Sequence, residues 1–386
     1  MRKPSALALV AVSFGVLAPA TASAQTGPTL TLSASDGSVR FGERVKLIGS
    51  LSPATGGETI EILDGSAAVV ATAVADAGGS FEAAIEPDGT NDYVAAFEGV
   101  QSAPVTVWVR AVVSVRMTNV RLFDRVKLRG DVEPARPGQA VDLKLLLGDR
   151  VVGTKLAPMG VAGGFTATFE IAKPGRYRAR ASFKADDLRR GSDTSRSDTT
   201  PLPALDSGDT GTFVRLLESR LVELDYRLAD ANDGRYDFRT ADAVVAFHKV
   251  QGMARSFAVT SATWRRLAEP RLPRPRRTWR GFHVEVDQRR QVLYMVRDGE
   301  IQDILHVSTG AGGSTRDGTF RVHRKLAGFS ANRLYYPSYF DGLRALHGWT
   351  EVPTYPASHG CVRIPYWNAK WVYERVDYGD RVVVHH

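Results

Sequence analysis

One cysteine, Cys361, in 386 residues excludes a disulfide framework, because no second thiol exists to pair with it. Long hydrophobic runs are scarce too. Beyond the first 24 residues no stretch reaches the roughly 20 apolar residues of a spanning helix, so no transmembrane segment is expected after them. Within that opening, Arg2 and Lys3 precede an apolar run from Ala6 to Leu17, followed by Pro19 and Ala22-Ser23-Ala24. This is the order of a signal peptide (1–24), which predicts cleavage after Ala24, a mature start at Gln25 and a location outside the cytoplasmic membrane. An uncleaved anchor is the other reading, for which the run is short. No cysteine stands at the end of that run, so a lipid-anchored lipoprotein is not expected. Acidic residues are outnumbered 42 to 50 by Lys and Arg, giving a net charge of +8 that becomes +6 when Arg2 and Lys3 leave. That excess favours loose association with anionic polymers and does not identify nucleic acid, which is not expected as a partner.

With 43% hydrophobic and 24% charged residues, the chain can bury two or three separate cores. From about 28 to 200 helical periodicity is absent; short alternating runs such as Arg44-Val45-Lys46-Leu47 and Arg176-Tyr177-Arg178-Ala179 are punctuated by Gly, Pro and Asp. The segment repeats itself. Phe41-Gly42-Glu43-Arg44-Val45-Lys46-Leu47-Ile48-Gly49 returns as Leu122-Phe123-Asp124-Arg125-Val126-Lys127-Leu128-Arg129-Gly130, and Pro53 as Pro134. Gly79-Ser80-Phe81 and Tyr93 answer Gly163-Gly164-Phe165 and Tyr177. A period of roughly 80 residues resembles two tandem immunoglobulin-like β-sandwiches, at 28–109 and 110–198, in the broad sense, since the paired cysteines of antibody domains are missing. They carry no chemical constellation and read as spacers, with carbohydrate or protein binding as the alternative. A Ser/Asp/Thr/Pro stretch at 190–203 reads as linker, the domain boundary being set at 199–207.

The period then becomes helical. Val214, Leu217, Leu221 and Leu224 step by three and four; a second helix is expected from Thr240 as N-cap through Phe247, and a third from Thr260 or Ser261 through Trp264 and Leu267. With Asp233-Gly234-Arg235-Tyr236, the span 208–268 resembles the three-helix peptidoglycan-binding module of wall enzymes, departing from it at His248. Seven arginines among prolines between Arg265 and Arg280 read as a solvated, semi-rigid linker (269–280), with phosphate-rich polymers as the alternative role.

Strands resume after Gly281, with Asp298-Gly299 as a hairpin turn between Gln291-Val292-Leu293-Tyr294-Met295-Val296 and Ile301-Gln302-Asp303-Ile304. The chemistry concentrates near the end, in His347-Gly348-Trp349 and Ser358-His359-Gly360-Cys361-Val362-Arg363. A thiol becomes a good nucleophile only beside a base or a positive charge. His347 is the candidate base; His359, two positions from Cys361, is better placed to orient than to abstract. Gly360 leaves room for backbone amides to meet an oxyanion, and Arg363 adds charge able to pair with a carboxylate. A zinc site of His347, His359 and Cys361 matches no usual ligand spacing and lacks a fourth ligand, so no metal is expected.

Those two segments, with Ser308-Thr309-Gly310 and Thr315-x-x-Gly318-x-Phe320 before them, resemble the L,D-transpeptidase catalytic domain (YkuD-type) over 281–386. The resemblance implies a mixed-β fold, no cofactor, and peptidoglycan stem peptides as substrate. It assigns Cys361 as nucleophile, His347 as base, the Gly348 carbonyl as its orienter, and the amides of His359, Gly360 and Cys361 as oxyanion hole. Arg363, Ser358, Tyr336 and Trp349 are expected to face substrate. The acyl acceptor would be a stem amine, a wall-anchored protein or water, and carbapenem-type β-lactams would inhibit. Arg316 replaces a usual Pro and is expected to alter only a turn, and the stretch from His347 to Ser358 is short. A catalytically inactive wall-binding scaffold, secreted to the cell wall or periplasm like the enzyme, is the alternative.

Overall fold

Alternating side chains dominate the first half because each strand there has one wet face and one dry one. The computed structural model describes residues 27–228 and 233–386; the signal peptide and the start at Gln25 lie outside the described residues. The protein is mainly β, with four helices among the described residues. None of them is long and apolar enough to cross a membrane. The chain divides into two units, residues up to 112 with 184–190, and 113–183 with 191–386.

In the first unit, Thr29–Ala34, Val45–Ser52 and Ser80–Ile85 form one antiparallel sheet. Thr59–Asp64, Val69–Val74, Asn91–Phe97 and Val105–Arg110 form a second, and Leu47, Ile60, Ile62, Ala95 and Val107 are fully buried. Gly49 stands opposite Phe81, where a Cβ would lie 2.2 Å from Phe81 Cζ, so only glycine lets the ring cross the strand. The second unit repeats the device. Gly130 stands opposite Phe165, and a Cβ there would lie 2.4 Å from its Cζ. The stretch at 190–203 is not wholly a linker: Asp198–Thr199 pairs with Arg176 and Tyr177, and Gly175 donates its N–H to Thr200 Oγ1 at 2.8 Å. Its polar composition suits an edge strand as well as a loop.

Helix α1 (Thr212–Glu223) buries Val214, Leu217 and Leu221, the expected face. α2 (Phe238–Gln251) starts earlier than expected: its cap is Asp237, whose carboxylate accepts from the N–H groups of Arg239 and Thr240. Thr240 is instead buried in the first turn and donates to Glu218 Oε1 at 2.9 Å. α3 (Ser261–Ala268) is capped by Thr260 and Thr263 in a reciprocal box. His248 joins α2 to α3 through Ser256 O at 2.8 Å and Thr263 Oγ1 at 2.9 Å.

From Thr240 to Gln251 every residue of α2 is buried, too much for a helix lying on only one partner. The second partner is a five-stranded sheet, ordered Glu300–His306, Val292–Arg297, Phe282–Asp287, Arg381–His385 and Gly318–Arg321. In its strand Val292–Arg297, Val292, Tyr294 and Val296 join the core of the helices, including Phe247 and Trp264. Leu293 and Met295 point the other way, into a core with Phe340, Leu346 and Val362. Burial on both faces explains the unbroken apolar run. The Asp298-Gly299 turn has positive φ at both residues (54° and 81°), as a two-residue hairpin requires. Residues 269–280 are tied down rather than free: Glu285 accepts the N–H groups of Arg276 and Arg277, each at 2.7 Å, and Gln251 grips the backbone of Arg271.

This shared core gives a first prediction. Phe247→Ala, at a position with 0% exposure, should cost about 3–5 kcal/mol. In urea or guanidinium the helices and the five-stranded sheet should unfold together at the lowered midpoint. Separate transitions for the two would show that the core is not common property.

Candidate active site

A second sheet holds the site. Tyr335–Asp341 runs antiparallel to Arg344–Trp349, which runs parallel to Val362–Pro365, with Leu346 opposite Val362 and His347 opposite Arg363. Cys361 immediately precedes the last strand. Side chains alternate, so Cys361, Arg363 and His347 fall on one face, with Cys361 and His347 as diagonal neighbours. α4 (Tyr366–Arg375) follows, and Gly348 lets it approach: a Cβ there would lie 2.5 Å from that of Ala369.

His347 is 3% exposed, and its Nδ1–H donates to Gly348 O at 2.9 Å. That bond fixes the tautomer and leaves Nε2 as a proton acceptor. Burial lowers the imidazole to about 4, against a smaller opposite push from the Gly348 carbonyl. Trp349 meets the ring edge-on at 5.6 Å, and the Arg363 guanidinium lies over Trp349 at 5.4 Å. Cys361 is half-buried, with its Sγ 3.8 Å from Leu343 O. Burial pushes its thiol up, while the Ala345 N–H and the charges of Arg344 and Arg363 pull it back. The resting pair is therefore a neutral thiol and a neutral imidazole.

The turn before Cys361 is closed by its own residues. Ser358 Oγ accepts the Gly360 N–H at 3.0 Å and donates to Cys361 O at 2.6 Å. Two expectations change here. The Gly360 amide is occupied and is not a free oxyanion donor, which leaves those of His359 and Cys361, for which no acceptor stands among the described residues. Ser358 is buried, with its hydroxyl spent on the turn rather than turned to substrate. His359 is exposed. Tyr336 sits apart in an aromatic cluster, edge-on to Tyr335 and Tyr373. From outside the turn, Thr315 Oγ1 donates to Gly360 O at 2.9 Å and accepts the Gly310 N–H at 2.8 Å. A Cβ on Gly310 would lie 2.9 Å from Gly360 Cα, so the glycine-rich segment exists to bring two backbones together.

Sequence reasoning missed a charged group beneath this turn. Arg316 does more than alter a turn: it pairs with Asp341, which also binds Arg344 Nη1 at 3.0 Å, and Arg344 Nε donates to Ser314 O at 2.9 Å. It missed also the props of the loop 350–357, between His347 and Cys361. His306 Nε2–H donates to Val352 O at 2.8 Å, Ser308 Oγ to Tyr355 O at 2.7 Å and Arg255 to Thr354 O. Lys249, buried on α2, donates to Gln291 O at 2.9 Å, Val307 O at 3.1 Å and His306 Nδ1. Three acceptors suit an ammonium, although burial draws both it and His306 well below their ordinary values. No sequence pattern marks these pairs, which join distant segments.

Residues 281–384 match the family described as the YkuD L,D-transpeptidase catalytic domain. No curated protein matches the chain. Among solved structures, an L,D-transpeptidase from Xylanimonas cellulosilytica is 33% identical, with 48% of this chain and 99% of that one covered at a TM-score of 0.46. One from Stackebrandtia nassauensis is 28% identical, with 48% and 97% covered at a TM-score of 0.32.

Proposed function

This chain belongs, through residues 281–384, to the L,D-transpeptidase catalytic-domain family, and from that premise we propose that it is an exported enzyme that carries a peptidoglycan stem peptide on Cys361 and passes it to an amine. The observation that supports this most directly is the buried, neutral His347 on the same face as the chain's one thiol.

The residues divide the work as follows. His347 Nε2 removes the thiol proton as Sγ attacks the carbonyl carbon of the bond between the third, diamino residue of a tetrapeptide stem and its terminal D-Ala. The N–H groups of His359 and Cys361 meet the oxyanion. The C–N bond breaks, the imidazolium returns the proton to the departing D-Ala amine, and a thioester remains on Cys361. An acceptor amine then gives a proton to His347 and attacks the thioester, the thiolate leaving. A stem amine as acceptor makes a 3→3 crosslink, a protein lysine makes an anchor, and water ends the cycle as carboxypeptidase action. In this reading Arg363, whose guanidinium lies over Trp349 beside His347, receives a stem carboxylate.

Incubating the full chain with a carbapenem should add the mass of one opened β-lactam, located on Cys361 by peptide mapping. A folded protein that takes no adduct would favour the inactive scaffold.

A further inference from the structure

Away from Cys361, four arginines gather around one cavity. We propose that the cavity between the end of α2, the tied segment 269–280 and the turn after Phe282–Asp287 binds a phosphate group. The cavity measures about 440 Å³ and is lined by Arg255, Arg271, Arg289 and Arg290, with apolar side chains such as Met253 and Leu272 between them and no carboxylate in its wall.

The four guanidinium groups are not equally occupied. Arg290 is answered by Asp287, with Nη1 2.6 Å from Oδ2. Arg255 donates to the carbonyls of Thr354 and Arg289, which use its hydrogens without neutralising its charge. The side chains of Arg271 and Arg289 have no hydrogen-bond or ion-pair partner among the described residues, so three positive charges remain unanswered around one cavity. Like charges held together repel, and an anion removes the repulsion while taking up the idle donors.

The arrangement is held in place by neutral contacts. Gln251 Oε1 accepts the Arg271 N–H at 2.8 Å and its Nε2 donates to Arg271 O at 3.0 Å, fixing that residue at both peptide groups. Arg255 Nη2 reaches Arg289 O at 2.8 Å, which ties two of the arginines to each other. Lys249 also lines the cavity, but its ammonium is committed inward. A bound anion therefore meets donors already gathered, with little backbone to order.

Phosphate fits these donors better than carboxylate. A carboxylate offers two oxygens in one plane, enough for one guanidinium fork, whereas a phosphate directs its oxygens tetrahedrally and can meet forks arriving from different sides. The same chemistry is offered by a free phosphate and by one unit of a phosphodiester polymer; Arg274 and Arg280, exposed along the tied segment, extend the positive potential for the polymer.

Calorimetric titration of the full chain at low salt tests this, with inorganic phosphate, pyrophosphate and a glycerol-phosphate oligomer as ligands and acetate as control. Saturable one-to-one binding is expected, weakened at least tenfold in the double variant Arg271→Gln, Arg289→Gln, unmoved in Arg265→Gln outside the cavity, and falling steeply with added salt. Acetate should bind at least tenfold more weakly. A gain on going from phosphate to oligomer assigns the polymer as the source, and equal affinity assigns the single group; either supports the site. Both substituted arginines are exposed, so the double variant should fold, with an unchanged circular dichroism spectrum and unchanged carbapenem adduct on Cys361. Absence of saturable binding to the folded wild-type chain, binding unaffected by the double variant, or acetate equal to phosphate would overturn the proposal.

Discussion

Cys361→Ala should abolish both D-Ala release and adduct formation, to the limit of detection. The sequence offers no second thiol, and a hydroxyl or amine in its place would lack the thiolate's nucleophilicity near neutral pH. The variant should remain folded, since the loss is one half-buried sulfur that makes only weak contacts, to Leu343 O at 3.8 Å and with the Ala345 N–H. The measurement is D-Ala release from a tetrapeptide stem, with circular dichroism as the check on folding. Full activity in the folded variant would end the enzyme reading.

His347→Ala should lower acylation by about two to four orders of magnitude, the range of a positioned general base, while His359→Ala should do much less. The reverse ranking would exchange the roles of the two histidines. The pH profile adds a test of sign. Burial lowers His347 to about 4, so its neutral, proton-accepting form persists down to about pH 5, and acylation of the wild type should stay level between there and neutrality. Below about pH 4 the base protonates and the rate should fall tenfold per unit. A break in the neutral range would contradict the buried base. The same shift makes acid destabilising: between the unfolded value near 6.5 and the folded value near 4, protons bind the unfolded chain first. Alkylation of Cys361 by iodoacetamide should keep rising through the alkaline range, because its thiol is held above its ordinary value.

Much of this was legible because it follows a local rule. The Phe81 and Phe165 motifs announce their strands, the Val214, Leu217 and Leu221 face announces α1, and the His347-Gly348 and Ser358 to Arg363 segments announce the family. What escaped obeys no period. Lys249 reads as a surface charge on a helix until the carbonyls of Gln291 and Val307, more than 40 residues away, are seen to receive it. The cap of α2 is ambiguous in sequence because Asp237 and Thr240 are both good capping residues, and only the buried Glu218 decides which is drawn inside. The motif offers the Gly360 amide to the oxyanion because it shows which amides are near, not which are already taken. Arg316 and Asp341 stand 25 residues apart with only a fold to connect them.

The core common to α1–α3 and the strand Val292–Arg297 bears on how the molecule can be cut. Sequence similarity places an edge at 281, yet a fragment starting there would present Val292, Tyr294, Val296 and Ile304 to water, four side chains now at most 2% exposed. Such a truncation should be recovered as aggregate, whereas one that begins before Leu205, which pairs with Val259 beside α3, keeps those side chains covered by the helices. For expression, crystallisation or grafting onto another carrier, the helices have to travel with the strands that hold Cys361.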